Sequence, residues 1–240
     1  MSARPRRAMV LAAGLGLRMR PLTETLPKPL VALAGRSLLD RALDALAAAG
    51  VADAVVNTHY LPHLIAAHVA GRAAPRIALS PEDALLETGG GVKRALGLLG
   101  SGPFFVVNAD IAWADGPRPA LARLAAAWDD AAMDALLLVQ PVARAPGYDG
   151  AGDFTLDEGG RLARRNGPTA PFVFTGVQML HPRLFAAAPE GAFSLNLLYD
   201  AARGNGRLFG LVHDAAWYHV GTPAALAEAE RLIAAGAQGG

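Results

Sequence analysis

The sequence predicts an α/β protein built on a doubly wound, mostly parallel, Rossmann-like sheet, with a smaller region that contains a β-hairpin. Three observations predict it. Short apolar runs of strand length end in glycine or polar residues, segments of helical periodicity separate them, and the alternation gives way to hairpin signals beyond residue 140. The 240 residues suffice for one large domain with a substantial core.

The elements follow in order. Ala8 to Ala13 is apolar throughout and closed by Gly14, as in a parallel strand buried on both faces. The opening MSARPRRAMVLAAG has a passing likeness to a secretion signal, but its apolar stretch stops at a Gly/Arg-rich loop and reads as a first strand. Ser37 opens a helix whose Leu38, Leu39, Ala42, Leu43 and Leu46 share one face, and Gly50 stops it. Ala54 to Asn57, Arg76 to Ser80 and Phe104 to Asn108 read as strands, with helices over Pro62 to Val69 and Val92 to Leu99. The third of these strands leads into Asp110, at the sheet edge where ligands gather in open α/β folds. A helix over Ala120 to Trp128, a strand over Ala135 to Gln140 and a loop over Gly147 to Gly152 come next. Asp153 to Leu156 and Arg161 to Arg164 flank a glycine-assisted turn and read as a hairpin. Phe172 to Leu180 is a strand. Pro182 to Ala188, Leu195 to Arg203 and Pro223 to Ala235 read as helices, the last with Thr222 as N-cap and Pro223 at N1, before a frayed tail from Gly236.

Composition excludes several classes. Lys and Arg total 22 against 21 Asp and Glu, with no block of like charge, which argues against a nucleic-acid partner. No apolar run reaches the roughly 20 residues of a bilayer span, so no membrane partner is expected. Cysteine is absent, which rules out disulfides, thiolate metal sites and a cysteine nucleophile, and points to the cytoplasm. Lysine occurs only at Lys28 and Lys93.

Lys28 lies in the most informative segment, LAAGLGLRMRPLTETLPKPL from Leu11 to Leu30. A strand feeds a loop whose Gly14 and Gly16 let backbone N–H groups approach a phosphate. Arg18, Arg20 and Lys28 add bidentate and point-charge anion contacts, and Pro27 and Pro29 stiffen the chain around the lysine. The bland alternative is a glycine turn with solvated cations. A dinucleotide fingerprint fails at Met19 and at Asn57, and a P-loop fails because Arg94 follows Lys93. The departures at Met19 and Asn57 disfavour a nicotinamide enzyme. Asn57, His59 and Tyr60 end a strand on the same edge and either line a cleft or pack. His59 and His63 lack an HExxH glutamate, so zinc is not expected. Glu87, Thr88, Gly89 and Gly90 either present backbone to a base and ribose, or Thr88 simply caps a helix. Trp113, Trp128 and Trp217 read as core or cleft wall.

The opening LAAGxGxRMxPLT followed by PKPL resembles the signature of sugar-1-phosphate nucleotidyltransferases, and the resemblance spans nearly the whole chain. NTHYL at Asn57 to Leu61, LETGGGV at Leu86 to Val92, NAD at Asn108 to Asp110, FTGVQMLHPRLF at Phe174 to Phe185 and WYHVGTPAALAEAERLI from Trp217 carry it further. Within the family the chain looks most similar to bacterial N-acetylmuramate-1-phosphate uridylyltransferases of cell-wall recycling, with mannose-1-phosphate guanylyltransferases next. The resemblance implies a single domain over 1–240 of nucleotide-diphospho-sugar transferase type, with a nucleotide-binding half at 1–110 and a sugar-binding half at 111–240. It implies transfer of a nucleotidyl group from a nucleoside triphosphate, with UTP expected, to a sugar-1-phosphate.

By matched position, Arg18, Lys28 and Asp110 are the expected catalytic residues. Leu11, Ala12, Ala13, Gly14, Gly16, Arg18, Lys28, Glu87, Thr88, Gly89 and Gly90 are expected at the nucleotide, and Asn108, Asp153, Thr175 and Arg165 at the sugar phosphate. Asp110, otherwise readable as a turn acid, is expected to bind Mg²⁺. Two departures stand out. Where relatives carry a lysine for the acceptor phosphate, this chain has Arg164, Arg165 and Asn166, so Arg165 either substitutes or is an ordinary hairpin arginine. Where a second metal acid is expected, Tyr218 and His219 stand, and an imidazole ligand would favour Mn²⁺ or Co²⁺. His219 is also the one feature favouring a non-catalytic nucleotide-sugar-binding module on the same fold. The sequence leaves the oligomeric state open.

Overall fold

The computed structural model describes residues 4–237. In chain order the elements are β1 (Arg7–Leu11), β2 (Ala32–Leu33), β3 (Arg36–Ser37), α1 (Leu38–Ala48), β4 (Asp53–Thr58), α2 (Pro62–Val69), β5 (Arg76–Pro81) and α3 (Glu87–Leu99). Then come β6 (Phe104–Asn108), β7 (Ile111–Trp113), α4 (Ala120–Ala127), β8 (Ala135–Pro141), β9 (Phe154–Leu156), β10 (Leu162–Arg164), β11 (Phe172–Leu180), α5 (Leu195–Gly204), β12 (Leu208–Val212), β13 (Trp217–His219) and α6 (Pro223–Ala237).

The central sheet runs β12-β8-β11-β6-β1-β4-β5. β5, β4, β1 and β6 are parallel, β11 enters antiparallel between β6 and β8, and β12 is parallel to β8. The small hairpin β9–β10 joins at the N-terminal end of β11, where Phe172 pairs Phe154. Alternation along β1 explains why helices cover both faces. Ala8 and Val10 pack with Leu39, Leu43 and Leu46 of α1, Ile65 of α2 and Leu124 of α4. Met9 packs the other way, with Val92 and Leu99 of α3 and Leu198 of α5. A third cluster joins Met19, Leu33, Ala112 and Val220 to Leu226 and Ala229 of α6.

Local signals explain the helix ends. The Ser37 hydroxyl accepts the Asp40 N–H at 3.0 Å, and Gly50, at φ +85°, turns the chain away after α1. Thr222 Oγ1 accepts the Ala225 N–H at 3.2 Å at the head of α6. Several boundaries differ from the sequence expectation: β1 is Arg7–Leu11, so Ala12 and Ala13 belong to the loop, and most other ends hold or shift by one residue. α3 starts at Glu87 rather than Val92, because its glycines form the first turns instead of a loop. The helix expected over Pro182 to Ala188 is a 3-10 turn over Pro182–Phe185, and Pro189 disfavours helix in the residue before it. α6 continues through Gly236 to Ala237, and the rest of the expected tail lies outside the described residues.

Candidate functional site

The chain winds outward from β1 to β4 and β5, then returns to place β6 on β1's other side. That reversal opens a crevice beyond the carboxyl ends of β1 and β6, the usual ligand position of a doubly wound sheet. The structure has a cleft of about 550 Å³ there, lined by the loop from Leu11 to Met19 and by Lys28, Asn57, Glu82, Glu87, Thr88, Asn108 and Asp110.

Gly16 is the glycine that the loop geometry requires. Its φ is +64°, and a Cβ would lie 3.0 Å from Lys28 Cβ and 3.2 Å from Thr23 Cγ2. Loop and lysine therefore close on each other. Thr23 donates its hydroxyl to Gly16 O at 2.8 Å, and Tyr60 donates to Thr23 O at 2.9 Å, so the tyrosine braces the loop from behind. Gly14 is exposed, with open space where a Cβ would stand.

Lys28 Nζ donates to Asp110 Oδ2 at 2.9 Å. The lysine side chain is 8% exposed and the aspartate 42%, so the pair is sealed on one side and open to the cleft on the other. A buried ammonium needs such a partner, and the pairing holds the cation at the cleft wall. Arg18 is exposed on the same wall.

The opposite wall rests on a buried pair. Asn57 Oδ1 accepts the Ala12 N–H at 2.7 Å, and its Nδ2 donates to Glu82 Oε1 at 2.7 Å. Glu82 Oε2 accepts the Leu86 N–H at 3.0 Å. Glu87 follows at φ +57°, a conformation that costs a non-glycine residue energy. Gly89 and Gly90 do not line the cleft: their N–H groups donate to Phe193 O at 2.8 and 3.1 Å, and a Cβ on Gly89 would strike the Phe193 ring at 2.3 Å. The N-cap of α3 is Leu86 rather than Thr88, whose hydroxyl accepts the Leu195 N–H at 2.9 Å.

The other expected residues spread across the second half of the sheet. Asn108 ends β6 opposite Leu11 and lines the cleft. Thr175 is fully buried at a bulge in β11, where its hydroxyl donates to Leu138 O at 2.8 Å. Asp153 accepts the Phe174 N–H at 2.9 Å. Arg165 is exposed beyond β10 and reaches the Pro168 carbonyl at 3.3 Å. Arg164 instead pairs with Asp200 at 2.9 Å and lies over the Phe154 ring.

β13 pairs with β7 so that His219 stands opposite Ile111, the neighbour of Asp110. Burial pushes its imidazole pKa down, Lys28 and Arg18 add to that, and Asp110 and Asp149 oppose it.

A family model described as nucleotidyl transferase matches residues 7–164, from β1 through the β9–β10 hairpin. The chain belongs to the nucleotidyl transferase family. This nucleotidyltransferase is 45% identical over 240 residues to the N-acetylmuramate alpha-1-phosphate uridylyltransferase of Caulobacter vibrioides, covering 98% of this chain and 99% of that one. It is 36% identical over 235 residues to the protein of the same name from Neisseria meningitidis serogroup B, covering 95% and 99%. Its fold matches an inositol-1-phosphate CTP transferase from T. maritima with a TM-score of 0.79 at 18% identity, over 98% of this chain and 97% of that one.

Among the described residues of the nucleotidyltransferase, no group of three or more His, Cys, Asp or Glu side chains is arranged to hold a metal. Asp110 offers a carboxylate at the cleft with one oxygen already on Lys28. Such a donor set fits a hard cation that takes most of its ligands from phosphate and water. It does not fit a prebuilt protein cage. Sequence reasoning passed over Glu82 altogether, because the groups that bury its carboxylate come from β4 and from the head of α3.

Proposed function

We propose that this nucleotidyltransferase transfers the uridylyl group of UTP to N-acetylmuramate 1-phosphate, giving the UDP-sugar and pyrophosphate. The carrying observation is the Lys28–Asp110 pair set beside a glycine loop in the switch-point cleft. The shared name of the two near-full-length relatives supports the choice of base and sugar.

An oxygen of the sugar phosphate attacks the α-phosphorus in line, and the bond to the β-phosphate oxygen breaks. A phosphate nucleophile already carries its charge, so no general base is needed. Positioning and charge neutralisation supply the rate. Leu11, Ala12, Ala13, Gly14 and Gly16 carry the loop that cradles the phosphates. Arg18 holds the leaving pyrophosphate, Lys28 meets the charge redistributed at the reacting phosphorus, and Glu87 and Thr88 flank the nucleoside. Asn108, Asp153 and Arg165 serve the sugar side; Asn108 apart, residues 1–110 act as the nucleotide half and 111–240 as the sugar half. A divalent cation on Asp110, with His219 beside it, would neutralise phosphate charge, with Mg²⁺ the first choice and Mn²⁺ or Co²⁺ admitted by the imidazole. Consumption of a nucleoside triphosphate in this reaction supports a cytoplasmic location.

The test is pyrophosphate release across four nucleoside triphosphates and a panel of sugar 1-phosphates, with and without Mg²⁺. Release should require all three components and be fastest with UTP and N-acetylmuramate 1-phosphate. Triphosphate hydrolysis independent of sugar would overturn the reading.

A further inference from the structure

Glu82 is 5% exposed, and Asn57, its neighbour, is 3% exposed. Burying a carboxylate is costly unless its oxygens are fully used. Here both are, and by donors only: Asn57 Nδ2 on one and the Leu86 N–H on the other. Leu86 is the N-cap of α3, so the carboxylate also sits where the helix favours negative charge. A glutamine could accept from Leu86 but would turn a second N–H donor toward Asn57. The residue type is therefore dictated by the polarity of its partners.

Through Asn57 the carboxylate is joined to Ala12, so the chain of bonds spans both walls of the cleft. Ala12 N–H donates to Asn57 at the mouth of the glycine loop, and Leu86 precedes Glu87, held at positive φ on the other side. His59 Nδ1 lies 2.8 Å from Glu82 O and anchors the acid's own backbone. The clearance behind the pair is small as well. A Cβ on Gly91 would come within 2.9 Å of both Asn57 Nδ2 and Glu82 Oε1.

We propose that Glu82 is a positioning residue: through Asn57 and the Leu86 amide, its carboxylate fixes the distance between the phosphate loop and the wall that holds the nucleoside. This rests on the reading of the cleft as the nucleotide site. Glu82 acts through its two neighbours and does not touch the reacting atoms.

The polarity of the chain of bonds supplies the test. Glu82→Gln breaks it, because one donor then faces another. Adding Asn57→Asp reverses it: the new carboxylate accepts from Ala12 N–H and from the new amide, whose carbonyl accepts from Leu86 N–H. All three bonds return with the same net charge. Affinity is measured by calorimetry with whichever nucleoside triphosphate the wild-type chain binds most tightly, together with the KM of each substrate, kcat and the melting temperature.

Glu82→Gln should weaken triphosphate binding about 10-fold, the scale of one lost hydrogen bond to a buried charge. The KM of the sugar 1-phosphate should stay within about twofold, and the double variant should return to within about threefold of wild type, as coupled neighbours do. Gly91→Ala presses on the pair without altering its atoms, and its KM for the triphosphate should also rise. This variant decides the matter if Glu82→Gln does not fold. A folded Glu82→Gln protein with unchanged triphosphate affinity overturns the proposal. So does a double variant no better than the single one, or a rise of both KM values in step with a lower melting temperature. A wild-type chain that binds none of the four triphosphates overturns the reading of the cleft itself.

Discussion

At the carboxyl ends of β1, β4 and β6, polar side chains line a cleft, whereas along β8 and β11 polar side chains of similar type are sealed inside the sheet. Asn108 and Asp110 face open space. Thr175 spends its hydroxyl on Leu138 O, Gln178 accepts from Tyr199 at 2.7 Å, and Gln140 donates to Arg144 O at 2.7 Å. Residue type is alike in the two halves, but Thr175 and Gln178 lie within β11, whereas Asn108 ends β6 and Asp110 lies just beyond it. What separates a ligand group from a structural one here is access: Gln140 Oε1 and Gln178 Nε2 have no partner but are buried inside the sheet, whereas Asn108 and Asp110 open on the cleft.

Lys28→Ala should break this contrast most severely. It removes the ammonium and leaves Asp110 unpaired at the cleft. Turnover should fall by about 100-fold or more, as when one preorganised electrostatic group is removed from a transition state. Steady-state kinetics decide it: a raised KM at unchanged kcat would reassign the lysine to ground-state binding.

Thr175→Val sharpens the comparison from the other half. The side chains are nearly isosteric, but Leu138 O and the Val177 N–H lose their partner. Stability should fall by about 1–3 kcal/mol, the cost of unsatisfied buried polar groups. Turnover per folded molecule should not change. Denaturant unfolding and kcat together check this, and a selective rise in the sugar-phosphate KM would instead make Thr175 a ligand group.

The parallel half was the more legible in sequence for a physical reason. Its strands are continuous apolar runs, and its loop residues are read from neighbours close in the chain, as with Gly16, Thr23 and Lys28. In the other half, β7, β12 and β13 are three to five residues long and too short to show a period. The polar partners there lie far away in sequence: Thr175 meets Leu138, and Gly89 meets Phe193. Glycines that look like room for a ring are instead room for a phenylalanine. Glu82 and its pairing with Asn57 escape notice similarly, since only the fold brings the two together.

The smallest effect is expected at His213, in the half without the cleft. Its side chain is fully buried, with Nε2 3.3 Å from Ala216 O. Burial pushes the imidazole pKa below its ordinary 6.5, Arg123 acting the same way, while the Ala216 bond and Asp214 and Asp115 oppose the shift. The unfolded chain then binds more protons than the folded one below about pH 6.5, so stability rises with pH through that window and is lost as pH falls. Above about 6.5 both states hold a neutral ring and the contribution is flat. One such group gives a slope of at most about 1.4 kcal/mol per pH unit. His181 and His219 are shifted the same way, so the acid limb has several contributors. His213→Gln keeps an N–H donor for Ala216 O but cannot titrate. Unfolding free energies measured from pH 7.5 down to 5 should fall less steeply for this variant than for the parent chain. Equal slopes would mean that the folded imidazole titrates as it does in the unfolded chain, and that the buried polar groups of this half do not sense acid.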